Sequence, residues 1–173
     1  MKVSDFGPRY SPFVDTIARH FRGRKDLVVA ELGVDAGAHA EAIMRTGRVG
    51  HLDLVDPWEG SQVYTMGICK GRLDALGFHG HYRQIDMSAQ QWVATLGTTT
   101  YDGIYCDLPQ EANLMKELLP VLWVAVGANG IIGIRNYAPG RWPALCAYID
   151  HFVAQASAKV LRESYHNEII LFR

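Results

Sequence analysis

Asp26-Leu27-Val28-Val29-Ala30-Glu31-Leu32-Gly33-Val34-Asp35-Ala36-Gly37 joins two patterns end to end. The run from Asp26 to Leu32 is short and almost continuously apolar, as in a strand buried on both faces of a parallel sheet. Two glycines follow, and residues 37–46 then read as a helix closed by Gly47. Glycines at such a junction let the backbone approach a ligand and let the helix begin tightly on the strand. In open parallel sheets ligands lie beyond the carboxyl ends of the strands, so this loop is expected to hold a nucleotide-type molecule.

The same alternation extends outward in both directions. Upstream, Ser11-Pro12 reads as an N-cap and first helical residue, and Phe13, Ile17 and Phe21 recur at helical spacing before Gly23. Downstream, strands are expected at residues 51–55, 81–85, 101–106 and 130–134. Helices are expected at 61–76, 88–96 (capped by Ser88), 111–126 and 143–156, the last turning Leu145, Ile149, Phe152 and Val153 inward. Pro120 should kink or divide its helix. Residues 159–165 and 168–172 are two strands separated only by His166-Asn167. A parallel return needs a crossover of a dozen or more residues, so this pair must be antiparallel. Five βα units therefore end in a hairpin. No repeat, linker or low-complexity segment interrupts residues 1–173, which are expected to form one domain with 1–26 as an N-terminal helical extension.

A composition 49% hydrophobic and 20% charged suffices for a core without staples. The formal net charge of -1, with arginines scattered among acids, argues against a nucleic-acid partner. Cys69, Cys106 and Cys146 form no paired motif and suit reduced thiols, with Cys106 in the core. No run approaches the roughly 18 apolar residues of a membrane span, and Met1 to Pro8 lacks the apolar run of a secretory signal. A cytoplasmic protein without a membrane partner is expected.

Spacing selects the ligand. A dinucleotide fingerprint places a second glycine two residues after the first, to admit a pyrophosphate; here that position is Asp35, whose charge opposes one. The pattern E-x-G-x-x-x-G from Glu31 to Gly37 instead resembles the first motif of class I S-adenosylmethionine-dependent methyltransferases. Asp56 stands at the end of the second strand, followed by Pro57-Trp58-Glu59-Gly60, a stretch similar to one in small-molecule methyltransferases. Asp86-Met87-Ser88 and Tyr105-Cys106-Asp107 fall where the family contacts adenine and the transferring methyl. The terminal hairpin is also the family's ending. The resemblance covers residues 27–173. It implies an α/β, Rossmann-like seven-stranded sheet of order 3-2-1-4-5-7-6 with strand 7 antiparallel and helices on both faces.

The resemblance further implies S-adenosylmethionine as cofactor. Glu31 and Gly33 would flank its methionine part and Asp56 would hold the ribose, with Val34, Asp35, Gly37, Pro57 and Trp58 further cofactor-binding residues. Asp86, Met87 and Ser88 would frame adenine, and Asp107 would sit beside the methyl. Asp56 as a turn cap, and Asp86 before Ser88 as turn chemistry, are the plainer alternatives.

The closest look-alikes, the catechol-type and macrolide-sugar O-methyltransferases, add an acid pair after the fifth strand that helps hold a divalent metal. Here that place reads Ile134-Arg135-Asn136-Tyr137. An arginine has no acceptor and repels a cation, so no metal is expected. Arg135 is open between pairing with Asp107, binding a substrate carboxylate and a plain surface ion pair. Without a metal the acceptor proton needs another group. Asp107, His39 and Asn136 are the candidate catalytic residues, with Tyr137 a further possible base; for His39 a solvated helix histidine is the competing alternative. Methyl transfer to a small-molecule acceptor, with oxygen the expected atom, is the leading expectation. A protein that keeps the fold and the cofactor but has lost the chemistry is the alternative. Trp58, Tyr64, Tyr137 and Trp142 would line an acceptor pocket or pack a homodimer.

Overall fold

The computed structural model describes residues 11–173. Residues 1–10, the start of the expected N-terminal extension, lie outside the described residues. In chain order the elements are α1 (Pro12–His20), β1 (Leu27–Leu32), α2 (Ala38–Arg45), β2 (Val49–Asp56), a 3-10 turn (Gly60–Gln62), α3 (Val63–Ala75) and β3 (Tyr82–Asp86). There follow α4 (Ala89–Val93), β4 (Tyr101–Cys106), α5 (Ala112–Ala125), β5 (Val126–Arg135), α6 (Pro143–Ala156), β6 (Lys159–Glu163) and β7 (Glu168–Phe172).

The strands form one sheet in the order β3-β2-β1-β4-β5-β7-β6. β1 to β5 pair in parallel, and β7 runs antiparallel to both β5 and β6. This is the expected topology. The strand order turns back between β1 and β4, which opens a crevice over their carboxyl ends.

Side chains alternate across each strand, so the sheet feeds two cores. Ala30 and Leu32 of β1 with Ile104 and Cys106 of β4 pack under α4, α5 and α6, against Trp92, Leu118, Leu122 and Ile149. Leu27 and Val29 with Tyr105 face α1, α2 and α3, against Phe13, Ile17, Ile43 and Leu73. Glu31 shares that second face by the same alternation. Ser11 caps α1 by accepting from the Val14 N–H, and Phe13 and Ile17 are wholly buried. Burying such a side chain contributes about 1.5–3 kcal/mol over leaving it exposed, so α1 is held by its apolar stripe.

Most boundaries shift by one or two residues, and three features differ more. α5 runs unbroken through Pro120 instead of dividing there. Pro120 and Lys116, whose carbonyl loses its usual partner, both face solvent, where water replaces the missing N–H. β5 begins at Val126, directly at the end of α5, and its pairing with β4 slips between Tyr101 and Gly103. Asn129, with φ 68°, takes up the extra length there. α4 is a short helix that closes in a tight turn, the Thr95 N–H and hydroxyl both donating to the Trp92 carbonyl. No helix among the described residues is long and apolar enough to cross a membrane.

Candidate functional site

The loop after β1 crosses hard against the chain leaving β4. The Gly33 N–H donates to Val55 O (2.9 Å) and the Asp107 N–H to Leu32 O (2.8 Å). Gly33 has φ +84°, and a Cβ there would lie 2.1 Å from the Asp107 carbonyl oxygen. Gly37, φ +74°, precedes α2, and a Cβ on it would meet Cys69 Sγ at 2.5 Å. Both glycines of the motif are thus required by space as well as by backbone angle.

Asp56 fixes the loop from the side. Its Oδ2 accepts from the N–H groups of Val34 (2.8 Å) and Asp35 (3.1 Å), and its Oδ1 from that of Trp58 (2.8 Å). The turn-cap alternative is therefore realised. The carboxylate also lines the crevice, and an ionised oxygen with one N–H bond keeps a lone pair for a hydroxyl. Trp58 is only 2% exposed, and its indole N–H donates to Asp35 O (3.0 Å). It supports the loop from beneath and does not line an acceptor pocket. Tyr64, at 63% exposure, and Tyr137, hydrogen-bonded to Asp150 and Arg162, likewise stand apart from the residues lining the crevice.

Two adjoining cavities lie over the loop and share Gly33, Asp35 and Asp107. The larger, about 300 Å³, is bounded by Asp56, Pro57, Gln62, Ala89, Leu108 and Pro109. The smaller, about 160 Å³, is bounded by Glu31, Val34, Ala36, Ala38, His39 and Arg135. Of the predicted binding residues, Glu31, Gly33, Val34, Asp35, Asp56, Pro57 and Asp107 are gathered here. Asp86, Met87 and Ser88 are not among the lining residues; Ala89, just beyond them, is. Ser88 instead caps α4 reciprocally with Gln91, and Asp86 and Met87 face solvent.

His39 is not solvated. It is 3% exposed, with Nδ1 at 3.2 Å from Glu31 Oε1, Nε2 at 2.8 Å from Ser11 Oγ, and its ring stacked on Tyr105 at 3.9 Å between centroids. Both ring nitrogens are engaged, so the role of a base for substrate passes from it on geometric grounds. Glu31 is 1% exposed, and its Oε2 has no hydrogen-bond partner. Such an orphan costs stability unless a ligand supplies the donor.

Behind His39, the buried Glu168 accepts from the Phe13 N–H (2.7 Å) and the Tyr105 hydroxyl (3.1 Å). Ser11, Tyr105 and Glu168 were not singled out from sequence as parts of the site. The available signal was a charged residue opening the otherwise apolar run Ile169 to Phe172. Burial pushes the Glu168 carboxyl above its ordinary value, against the opposing pull of the Phe13 N–H, His39 and Tyr105. The folded chain then binds more protons than the unfolded one as pH rises from the usual carboxylate value to the raised one. Stability contributed by this group therefore falls across that window. Glu168→Gln, neutral at every pH, is expected to flatten this part of the stability–pH curve in urea titrations; parallel curves for the two proteins would count against it.

At the ends of β4 and β5, Arg135 donates to Asp107 Oδ2 at 2.5 Å, with the two side chains 35% and 18% exposed. Asn136 follows with φ 66°, its carbonyl accepting from the Ala138 N–H, and is not among the lining residues. Among the described residues no cluster of three or more His, Cys, Asp or Glu side chains is placed to hold a metal ion. All three cysteines are buried, and burial pushes the Cys69 and Cys106 thiols up to about 12. They are core groups rather than nucleophiles.

No family model matches the sequence, and no curated protein matches it. Solved structures do match the fold. A methyltransferase from Podospora anserina with S-adenosylhomocysteine bound aligns over 92% of this chain and 76% of its own, at 18% identity and TM-score 0.70. A SAM-dependent O-methyltransferase from Thermotoga maritima aligns over 96% and 66%, at 11% identity and TM-score 0.67. An rRNA methylase from Streptococcus thermophilus aligns over 92% and 91%, at 13% identity and TM-score 0.65. At such identities the likeness establishes the architecture: the chain has the Rossmann-like methyltransferase fold.

Proposed function

We propose that the crevice binds S-adenosylmethionine and that the protein transfers its methyl group to a small-molecule acceptor, at oxygen and without a metal. The observation that carries this reading is Glu31 Oε2, a buried carboxylate oxygen lacking a donor at the edge of a cavity. The α-ammonium of the cofactor's methionine is such a donor. Gly33 leaves the room a Cβ would fill, and Asp56 offers its remaining lone pair to the ribose. The lining holds Glu31, Asp35, Asp56 and Asp107 against Arg135 alone. An acid-rich cleft suits a ligand with a net positive charge and disfavours a pyrophosphate.

When bound, the cofactor supplies an activated methyl on a sulfonium. The chain's part is to align donor and acceptor, exclude water and accept the acceptor's proton. Asp107, at the end of β4, is the candidate for that last step. Arg135 supports the metal-free reading, since its charge stands where a divalent ion would be repelled. The same ion pair favours a second reading, a protein that binds the cofactor without turnover, because Arg135 already occupies Asp107 Oδ2. The net charge of -1 supports a small acceptor over RNA. A single domain with residues 1–26 as its extension, a cytoplasmic setting and a homodimer belong to the same proposal.

Isothermal titration with S-adenosylmethionine, S-adenosylhomocysteine and NAD tests it. Binding of both adenosyl ligands at about 100 µM or tighter is expected, with no heat from NAD. Silence from both adenosyl ligands would overturn the reading. Turnover that a chelator stops and magnesium restores would overturn the metal-free part.

A further inference from the structure

The two oxygens of Glu31 are treated differently by the fold. Oε1 meets His39 Nδ1, and Oε2 is left for the cavity. The carboxylate oxygen is the acceptor of this pair and the imidazole nitrogen its donor. The imidazole is in turn held from behind by Ser11 Oγ, the N-cap of α1, and clamped flat against Tyr105. His39 cannot rotate without breaking one of these contacts, and Glu31 cannot swing without leaving His39. Preorganisation of this kind raises affinity by removing the cost of ordering a side chain on binding.

We propose that His39, backed by Ser11, is a positioning residue that aims Glu31 Oε2 at the ammonium of an α-amino-acid ligand, so that affinity for the amino-acid end of the cofactor depends on how α1 is docked. The inference rests on the adenosyl reading above. It separates the pocket into an adenosine part, indifferent to His39, and an amino-acid part that depends on it.

Two ligands distinguish these parts: S-adenosylhomocysteine, which has the ammonium, and 5′-methylthioadenosine, which lacks the amino-acid end. His39→Ala is expected to weaken S-adenosylhomocysteine about tenfold, the scale of a hydrogen bond to a charge, while methylthioadenosine stays within about twofold of wild type. His39→Asn, which returns a donor near the Nδ1 position, should recover part of the loss. Ser11→Ala leaves the imidazole in place but also removes the N-cap of α1, so its urea midpoint is measured beside its affinities and the comparison of the two ligands separates aiming from a general loss of stability. It should weaken S-adenosylhomocysteine alone, by about threefold.

Equal losses for both ligands would mean a merely structural histidine and would overturn the proposal, as would unchanged affinities. A wild-type protein holding the two ligands equally tightly would overturn it too. Wild-type protein that binds neither would instead remove the adenosyl reading itself, and this inference with it.

Discussion

Gly33→Ala is expected to abolish detectable binding of S-adenosylhomocysteine and to lower stability by about 3 kcal/mol or more. Two effects add. The alanine must hold φ +84°, which an L side chain rarely adopts, and its Cβ would stand 2.1 Å from the carbonyl oxygen of Asp107. That obstacle is backbone, so no side-chain rotation relieves it. The chain has to part β1 from β4 at their carboxyl ends, where Asp107 N–H donates to Leu32 O. Urea denaturation measures the first effect and calorimetric titration the second. A variant with the wild-type midpoint would show that the crossing is looser than described.

Asp56→Ala should follow closely, at about 2–4 kcal/mol of lost stability, together with at least about tenfold weaker adenosyl binding. The carboxylate accepts from three backbone N–H groups, those of Val34, Asp35 and Trp58. Val34 and Trp58 are buried, so their donors have little water to turn to, whereas Asp35 is exposed and can be rehydrated. Asp56→Asn keeps one acceptor oxygen and is expected to fall between wild type and alanine. Were the alanine variant to bind normally and lose only stability, Asp56 would be a brace for the loop and no part of the ligand's contacts.

The architecture was legible because each of its signals is local. Strands buried on both faces, such as Leu27–Leu32, are apolar almost throughout, and a gap as short as residues 164–167 admits only an antiparallel return. The loop was legible because Gly33 and Gly37 both need a positive φ at a strand-to-helix junction, although the atoms that crowd them, in Asp107 and Cys69, come from distant elements. The environment of His39 was not. Its partners Glu31, Ser11 and Tyr105 come from three other elements, and a histidine flanked by Ala38 and Ala40 carries no mark of the face it buries. Asp56 was legible as an acid at a strand end, but its triple backbone contact depends on how the loop after β1 folds back. Ser88 was legible as a cap, because the capping box with Gln91 lies within one turn of chain. Pro120 shows that a local rule also yields when solvent replaces the lost partner.

α1 is anchored through the Phe13 N–H to Glu168, 155 residues further on. At about 5–20 residues per second, a ribosome needs roughly 8–30 s to span that interval. α1 is thus among the last elements to complete its seat, and its tie to Glu168 is among the most non-local contacts of the described residues. During the wait α1 can already meet His39 and the faces of β1, β4 and β5, but the Phe13 N–H has no carboxylate to receive it and the Ile170 part of the covering face is missing. A nascent chain stopped short of Glu168 would carry the glycine loop, Glu31 and His39 together, yet lack the carboxylate that ties α1 and Tyr105 to the far edge of the sheet.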